Sequence, residues 1–421
     1  MVPSPHAFQL SPLFQALHDI GQGKKPMPNS DAKRHHFVPQ LLLRRFCRGS
    51  DERLFQLEVR TGKPVRVTTR EAASRRRYYQ FQDDEGNKSN AVEAYLALVE
   101  TYAAPALERL TQDEKISDPD RATLSFFFAL LGMRTPGIRK LGEAIGREVF
   151  EHFIGSHWGD SDAFSHLYRE WQGDDDAAAD EAEELRQRTL RMFRSGELEI
   201  VDPDGGATMS ALLTASADTT QSIFGEMTWT LLRTTGDEFI TSDRGLAIFD
   251  PTPRFPWSMD AILSSESSQT SIPLGLSRCL VLTPGEPIFQ TMDADPVDVM
   301  HLNLRTYGWA DRHIFGSGQE VVAAVRRAAR KHPALVVRPK PFRQVTLLEA
   351  EPGDTKLADD HRRRGWPPYL MADGPDGKPR KYDYMVIGED GTALEVGIET
   401  TRLAKARALR DADLKTASSE A

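Results

Sequence analysis

The sequence predicts an α+β protein: a mainly helical N-terminal half with a small hairpin, a β-rich middle segment, and a small appended β-hairpin and helix unit at the C-terminus. Three observations point there. Helix-like patterns, such as apolar residues every three or four positions from Val92 to Leu107, dominate up to about residue 200. From about residue 222, short strand-like runs alternate with Gly, Pro and Asp. Finally, 421 residues, 39% of them hydrophobic, suffice for two or three domains with real cores. Charged residues at 27%, aromatics at 8% and no tract of one residue type exclude collagen-like, coiled-coil and wholly disordered chains. The longest near-continuous apolar run, Ala122 to Met133, is shorter than the roughly 20 residues that span a bilayer. The first residues lack the basic, apolar and small-residue segments of a secretory signal. Two cysteines, Cys47 and Cys279, are too few for a disulfide scaffold, so a cytoplasmic protein with no membrane contact is expected.

Residues 1–30, rich in Pro, Gly and Ser around one apolar patch, read as a loosely ordered leader. A main domain follows over 31–335, helical over 31–200 and β-rich over 222–335, and an appended unit fills 340–421. Pro39 suits a helix start, and Leu41 to Phe46 continue it to Gly49. Leu54 to Val59 alternates, Thr61-Gly62-Lys63-Pro64 turns and Val65-Arg66-Val67 alternates again, which is a hairpin pattern. Val92, Leu96, Val99, Ala103 and Leu107 predict a helix from Asn90 to Leu110, kinked at Pro105. Asp118-Pro119-Asp120 caps a helix over Arg121 to Met133 that is apolar nearly all round and therefore buried. Another helix starts at Pro136, and residues 173–195 form an acidic, then basic, surface helix. Strand-like runs occupy 228–233, 238–241, 246–249 and 279–282, with helices around 295–306 and 318–331. Beyond Pro339, Tyr382 to Ile387 and Ala393 to Gly397 read as two strands joined by a Gly-flanked turn, and the chain ends in a charged helix from Leu403.

The net charge of −9 hides a strong asymmetry. Lys33 to Arg77 holds thirteen basic and four acidic residues, a local net of +9, which leaves −18 for the rest. Such a stretch attracts phosphates, or pairs with the protein's own carboxylates, such as those of Asp174 to Glu184. Within it, His35-His36-Phe37-Val38-Pro39-Gln40 places two imidazoles just before a helix start, where an anion, a metal or general-base work is accommodated. In an extended backbone the two rings face opposite sides, so only one enters a given site. Arg134, at a helix–Pro junction, requires a carboxylate, a phosphate or carbonyls, with Glu93 or Glu100 as its first candidate partners. Thr241-Ser242-Asp243-Arg244 ends a strand, where Asp243 is either a ligand or the centre of an Asx turn. Phosphate-binding Gly-rich loops, a Gly-x-Ser-x-Gly elbow and His-Glu-x-x-His are absent.

The stretches Arg34 to Gln40 with Leu43 and Phe46, Thr61-Gly62-Lys63, Asn90 to Glu100 with Glu93 and Glu100, Arg134-Thr135-Pro136, Phe239 to Arg244, and Asn303 resemble, in that order, the bacterial domain of unknown function 4238. The resemblance covers about residues 33 to 315. It implies a common fold and no named activity. The His-His-x-x-Pro opening is also similar to that of the ββα-metal nucleases, but no Asn and second His follow on a nearby helix. Asp383 with Glu395-Val396-Gly397 echoes the restriction-endonuclease core, with Gly397 where a lysine belongs.

Together these residues raise the expectation of a hydrolase acting on a phosphate-bearing substrate, above all a metal-dependent nuclease in bacterial defence or a toxin. The alternative is a non-catalytic module that binds nucleic acid, a nucleotide or a protein. The expected catalytic set is His35, His36, Gln40, Arg134, Asp243 and Asn303. Arg44, Arg45 and Arg48 are expected to bind substrate, and His36 and Asp243 to hold a divalent Mg or Zn ion. Nucleic acid would bind along residues 33–77.

Overall fold

The computed structural model describes residues 11–26, 32–82, 87–140, 161–172, 179–195, 224–249 and 268–336, together with the backbone strands 342–349, 370–373, 379–388 and 393–396. The chain divides into two compact units, one of residues 1–142 with 204–339 and one of 143–203 with 340–421. The second unit therefore takes in residues 143–203, which the sequence places in the main domain. Among the described residues no helix is long and apolar enough to cross a membrane.

In the first unit, helix α1 (Pro12–Gly21) opens with a proline in its first turn. It is docked rather than loose: Leu13 is fully buried, Phe14 meets the Phe126 ring at 5.5 Å, and Ser11 and Thr123 share a buried hydroxyl bond of 2.7 Å. Strand β1 (Arg34–His36) leads into a short helix α2 (Gln40–Leu43) and a 3-10 turn over Arg44–Phe46. The hairpin β2 (Arg53–Glu58) and β3 (Pro64–Thr68) forms as its alternation predicts, with Gly62 in a left-handed turn. Strand β4 (Ser74–Arg76) pairs antiparallel with β1, and β5 (Phe81–Gln82) with β6 (Lys88–Ser89).

Helix α3 (Ala91–Thr111) runs through Pro105 without ending there. Helix α4 (Asp118–Met133) is buried continuously from Arg121 to Met133. Its cap is Ser117, one residue before the expected Asp118: the hydroxyl accepts from the Asp120 amide while the Asp120 carboxylate accepts from that of Ser117.

A five-stranded sheet runs in the order β12 (Phe289–Asp293), β7 (Thr228–Arg233), β11 (Arg278–Thr283), β10 (Gln269–Gly275), β9 (Ala247–Phe249), with only β12 and β7 parallel. A four-stranded antiparallel sheet has the order β3, β2, β13 (His313–Gly316), β8 (Thr241–Ser242). Helix α7 (Pro296–Trp309) serves both. Leu304 and Tyr307 join α8 (Gln319–Lys331) over Leu57 and Ile314, while Val299 and Leu302 pack on Cys279 and Val281. Gly245 has a φ of +73° and lies under Leu131, where a Cβ would come within 2.7 Å of its Cδ1, so this turn requires glycine.

In the second unit, helices α5 (Ser161–Gln172) and α6 (Ala179–Arg194) pack Phe164 and Tyr168 on Ala182. The predicted C-terminal hairpin is part of a larger sheet. Strand β16 (Pro379–Gly388) pairs with β14 (Phe342–Glu349), β15 (Leu370–Asp373) and β17 (Ala393–Val396), all antiparallel. Glu395 lies opposite Met385, two positions beyond Asp383. Gly397, the helix from Leu403, and residues 1–10 and 141–160 lie outside the described residues.

Candidate functional site

Strand alternation separates the two adjacent histidines. His35 is fully buried and lies against the Tyr79 ring at 5.7 Å. The Tyr79 amide donates to His35 Nδ1 at 2.8 Å, so the proton sits on Nε2, which donates to the Ala32 carbonyl at 2.9 Å. Burial holds this imidazole below its usual pKa. A neutral ring with both nitrogens engaged is neither base nor metal ligand, so the expectation for His35 is corrected to a structural one. His36, half-buried, donates from Nε2 to the Arg70 carbonyl at 3.1 Å. Burial, followed by the charges of Arg134 and Arg34, brings its pKa down to about 4 against the pull of the Arg70 and Thr69 carbonyls.

Arg134 closes α4 with a guanidinium only 2% exposed. Its Nε donates to the Phe37 carbonyl at 3.1 Å and its Nη1 to Glu100 Oε1 at 2.8 Å. Its Nη2 is buried and has no partner among the described residues. Its own carbonyl accepts from the Tyr79 hydroxyl at 3.1 Å, which joins the end of α4 to the segment behind β4. Glu93 and Glu100, two turns apart on α3, share a helix face, and both act electrostatically on Arg134's surroundings. Burial pushes the Glu93 carboxyl up to about 7, with Glu100 adding to the rise and Arg134 opposing it. Burial likewise raises the Tyr79 phenol. Glu93, Glu100 and His36 are partly exposed in front of a buried cation, so water reaches the acids. Glu93 is the group sequence reasoning missed: it was visible only as a counter-charge for Arg134, although two carboxylates seven residues apart on one helix also suit acid–base work.

The other expected residues serve elsewhere. The Gln40 amide oxygen accepts from Arg44 Nη2 at 3.1 Å, one turn along its own segment. Asp243 is 3% exposed, and its oxygens accept the amides of Asp311, Arg312 and His313 at 2.9, 2.8 and 2.9 Å. Burial and the neighbouring Asp311 raise its pKa to about 7, against those three amides. It clamps the turn before β13, and its lone pairs point at amides rather than at a metal held jointly with His36. Among the described residues no three His, Cys, Asp or Glu side chains are grouped to hold a metal ion. The buried Asn303 accepts from the Ile240 amide and donates to the Glu238 carbonyl, both at 2.9 Å, and so pins the segment before β8 to α7.

The three expected substrate-binding arginines are also engaged. Arg44 pairs with Glu52 at 3.0 Å, Arg45 with Glu108, and Arg48 with Glu238 at 2.7 Å. The structure thus pairs Arg134 with Glu100 and sets His36 and Glu93 each within electrostatic reach of Arg134, and it gives Asp243, Asn303 and the three arginines separate partners. Residues 134–139 link the two neighbourhoods. Behind Arg134, the Gly137 amide donates to Asp311 at 3.0 Å, where Arg244 also pairs at 2.6 Å.

The sequence from residue 34 to 320 matches a family model described as protein of unknown function (DUF4238). The chain belongs to this family. The match spans every residue of the Arg134 cluster and most of the first compact unit, while the DUF4238 chain continues beyond it into the C-terminal sheet. No curated protein and no solved structure matches the chain.

Proposed function

We propose that the DUF4238 chain hydrolyses a phosphate ester at the Arg134 cluster, with a nuclease as the leading case. One observation carries this reading: a buried guanidinium with an unspent Nη2 donor stands beside a carboxyl whose pKa is about 7. Arg134 Nη2 binds a non-bridging phosphate oxygen, and Glu100, holding Nη1, keeps the fork oriented. Glu93, half ionised near neutral pH, takes the proton of the attacking water. The new oxygen–phosphorus bond forms, the bond to the leaving oxygen breaks, and the proton passes from Glu93 to that oxygen. His36, neutral and tied to the Arg70 carbonyl, lines the site without adding charge. A cytoplasmic defence or toxin role would suit such an activity by analogy.

The test is hydrolysis of bis(p-nitrophenyl) phosphate and of end-labelled RNA and DNA by the full chain, with added Mg²⁺ or Zn²⁺ and with EDTA. Turnover is expected, falling by about 100-fold or more in Glu93→Gln, and it is expected to survive EDTA because Glu93 and Arg134 supply the chemistry. No turnover on any of these esters, or full activity in Glu93→Gln, overturns the reading. Phosphate binding without turnover would select the non-catalytic alternative.

A further inference from the structure

We infer that the two-stranded ribbon of β1 and β4 is a binding surface for the sugar–phosphate backbone of a nucleic acid, which it leads toward His36 and Arg134. It follows from how the protein uses the thirteen cations between Lys33 and Arg77. Four are neutralised in ion pairs: Arg44 with Glu52, Arg45 with Glu108, Arg48 with Glu238 and Arg66 with Asp51. Six of the other nine crowd onto or beside the ribbon: Lys33, Arg34, Arg70, Arg75, Arg76 and Arg77, all exposed and none in an ion pair among the described residues. Arg34 stands directly opposite Arg76, a like-charge cross-strand pair that weakens a ribbon unless an anion lies across it. The Arg77 amide donates to the Lys33 carbonyl at 3.1 Å, which brings two more of these cations to the same end.

Glu71 accepts from the Thr68 amide and hydroxyl at 3.1 and 2.9 Å and feels the charge of Arg34, so one carboxylate faces a group of six cations without an ion pair to any of them among the described residues. Arg34 instead donates to Ser74 at 3.0 Å, and Arg75 lies over the Tyr78 ring at 5.6 Å, which leaves both guanidinium groups charge-bearing and outward. Alternation puts Arg34 and His36 on one face of β1, with Arg76 and Ser74 opposite them. That face therefore runs from Arg34 and Arg76 to the His36 imidazole, which feels the charge of Arg134. Repeated cations on an extended edge fit a chain of phosphates better than a single phosphate. The inference rests on the phosphate reading of the Arg134 site for where the chain leads, not for whether it binds.

Binding is measured by fluorescence anisotropy with a labelled 20-mer single-stranded DNA, the same sequence as RNA, and a 20-bp duplex, using the full chain and its Glu93→Gln variant so that turnover does not interfere. Both are expected to bind at about 50 mM salt, with affinity falling steeply as salt rises. In R75Q/R76Q/R77Q, affinity should drop at least tenfold and the slope of log affinity against log salt should shrink by about 2. R70Q/R76Q, which shares Arg76 and adds Arg70 beside the ribbon, should show a smaller loss of the same kind, and its thermal melt reports folding. R60Q/K63Q, on the β2–β3 turn, removes two exposed cations elsewhere and should bind as the parent does. No binding at low salt, unaltered binding in both ribbon variants, an equal loss in R60Q/K63Q, or heparin binding as tight as nucleic acid would each overturn the assignment. Binding that meets these expectations without any hydrolysis supports the ribbon and overturns only the proposed activity.

Discussion

Replacing Glu93 with glutamine should stabilise the protein at alkaline pH and leave it unchanged in acid. The unfolded chain gives this carboxyl its ordinary value of 4.5, and the fold raises it to about 7. The folded state therefore holds the proton more tightly, and the stability this confers is complete below about pH 4.5 and is lost as the pH rises through 7. The rise from 4.5 to about 7 corresponds to about 3.5 kcal/mol at roughly 1.4 kcal/mol per tenfold change, which solvent screening at the partly exposed Glu93 brings down to at most about 3 kcal/mol. Glutamine has a similar shape and no proton to lose. The gap between variant and parent should thus be near zero at pH 4.5 and rise to as much as about 3 kcal/mol by pH 8.

Urea unfolding at pH 5, 6, 7 and 8, followed by tryptophan fluorescence, reads this gap directly, since Trp229 and Trp309 lie in the same unit as Glu93. Asp243, raised to about 7 as well, titrates in both proteins and cancels in the difference. A gap that stays constant across the range would refute the reasoning. It would mean that Arg134 and water hold Glu93 ionised in the fold, and the carboxyl would then be a weaker proton acceptor than the hydrolysis requires.

Asp243→Ala should cost about 2–3 kcal/mol, because three part-buried amides lose their shared acceptor at once. Its melting temperature should respond to Mg²⁺, Zn²⁺ and EDTA just as the parent's does, whereas a metal ligand at this position would make the parent alone metal-responsive. Ending the chain at Pro339 removes one of the two segments of the second unit. Limited proteolysis should then cut within 143–203 while residues 32–140 stay protected, and early cleavage in the His36–Arg134 region would show that the units are not separable.

What could be seen in advance followed from local pattern. The β2–β3 hairpin was legible because alternation, a Thr-Gly turn and a second alternating run all point one way, and α4 because Phe126, Phe127, Phe128, Leu130 and Leu131 leave no polar face. Strand β10 was not. It carries Pro273 with a shift in register at that point, and its Thr270 and Ser271 are buried, so neither alternation nor polarity marks it. Helix α1 hid in a segment whose prolines and serines suggest a loose leader, although Pro12 in a first turn is a helix start. The appended hairpin was found, but β14 and β15 acquire their pairing only by joining β16.

The same division between local and distant information governs the site. Arg45 and Arg48 look free in sequence because their carboxylates, Glu108 and Glu238, come from 63 and 190 residues away. Asp243 looks available because the three amides that occupy it lie 68 to 70 residues downstream. His35 and His36 are neighbours whose parting was predictable from strand alternation, but which of them turns inward depends on Tyr79, 44 residues further on. A donor is spent or available only by tertiary arrangement, so counting donors against acceptors is what locates a site. At Arg134 that count leaves Nη2 over after Phe37 and Glu100 have taken Nε and Nη1. A buried guanidinium left so carries an energetic penalty unless a ligand completes it. That cost, at a guanidinium beside acidic groups, is the ground on which phosphate binding is proposed at this junction.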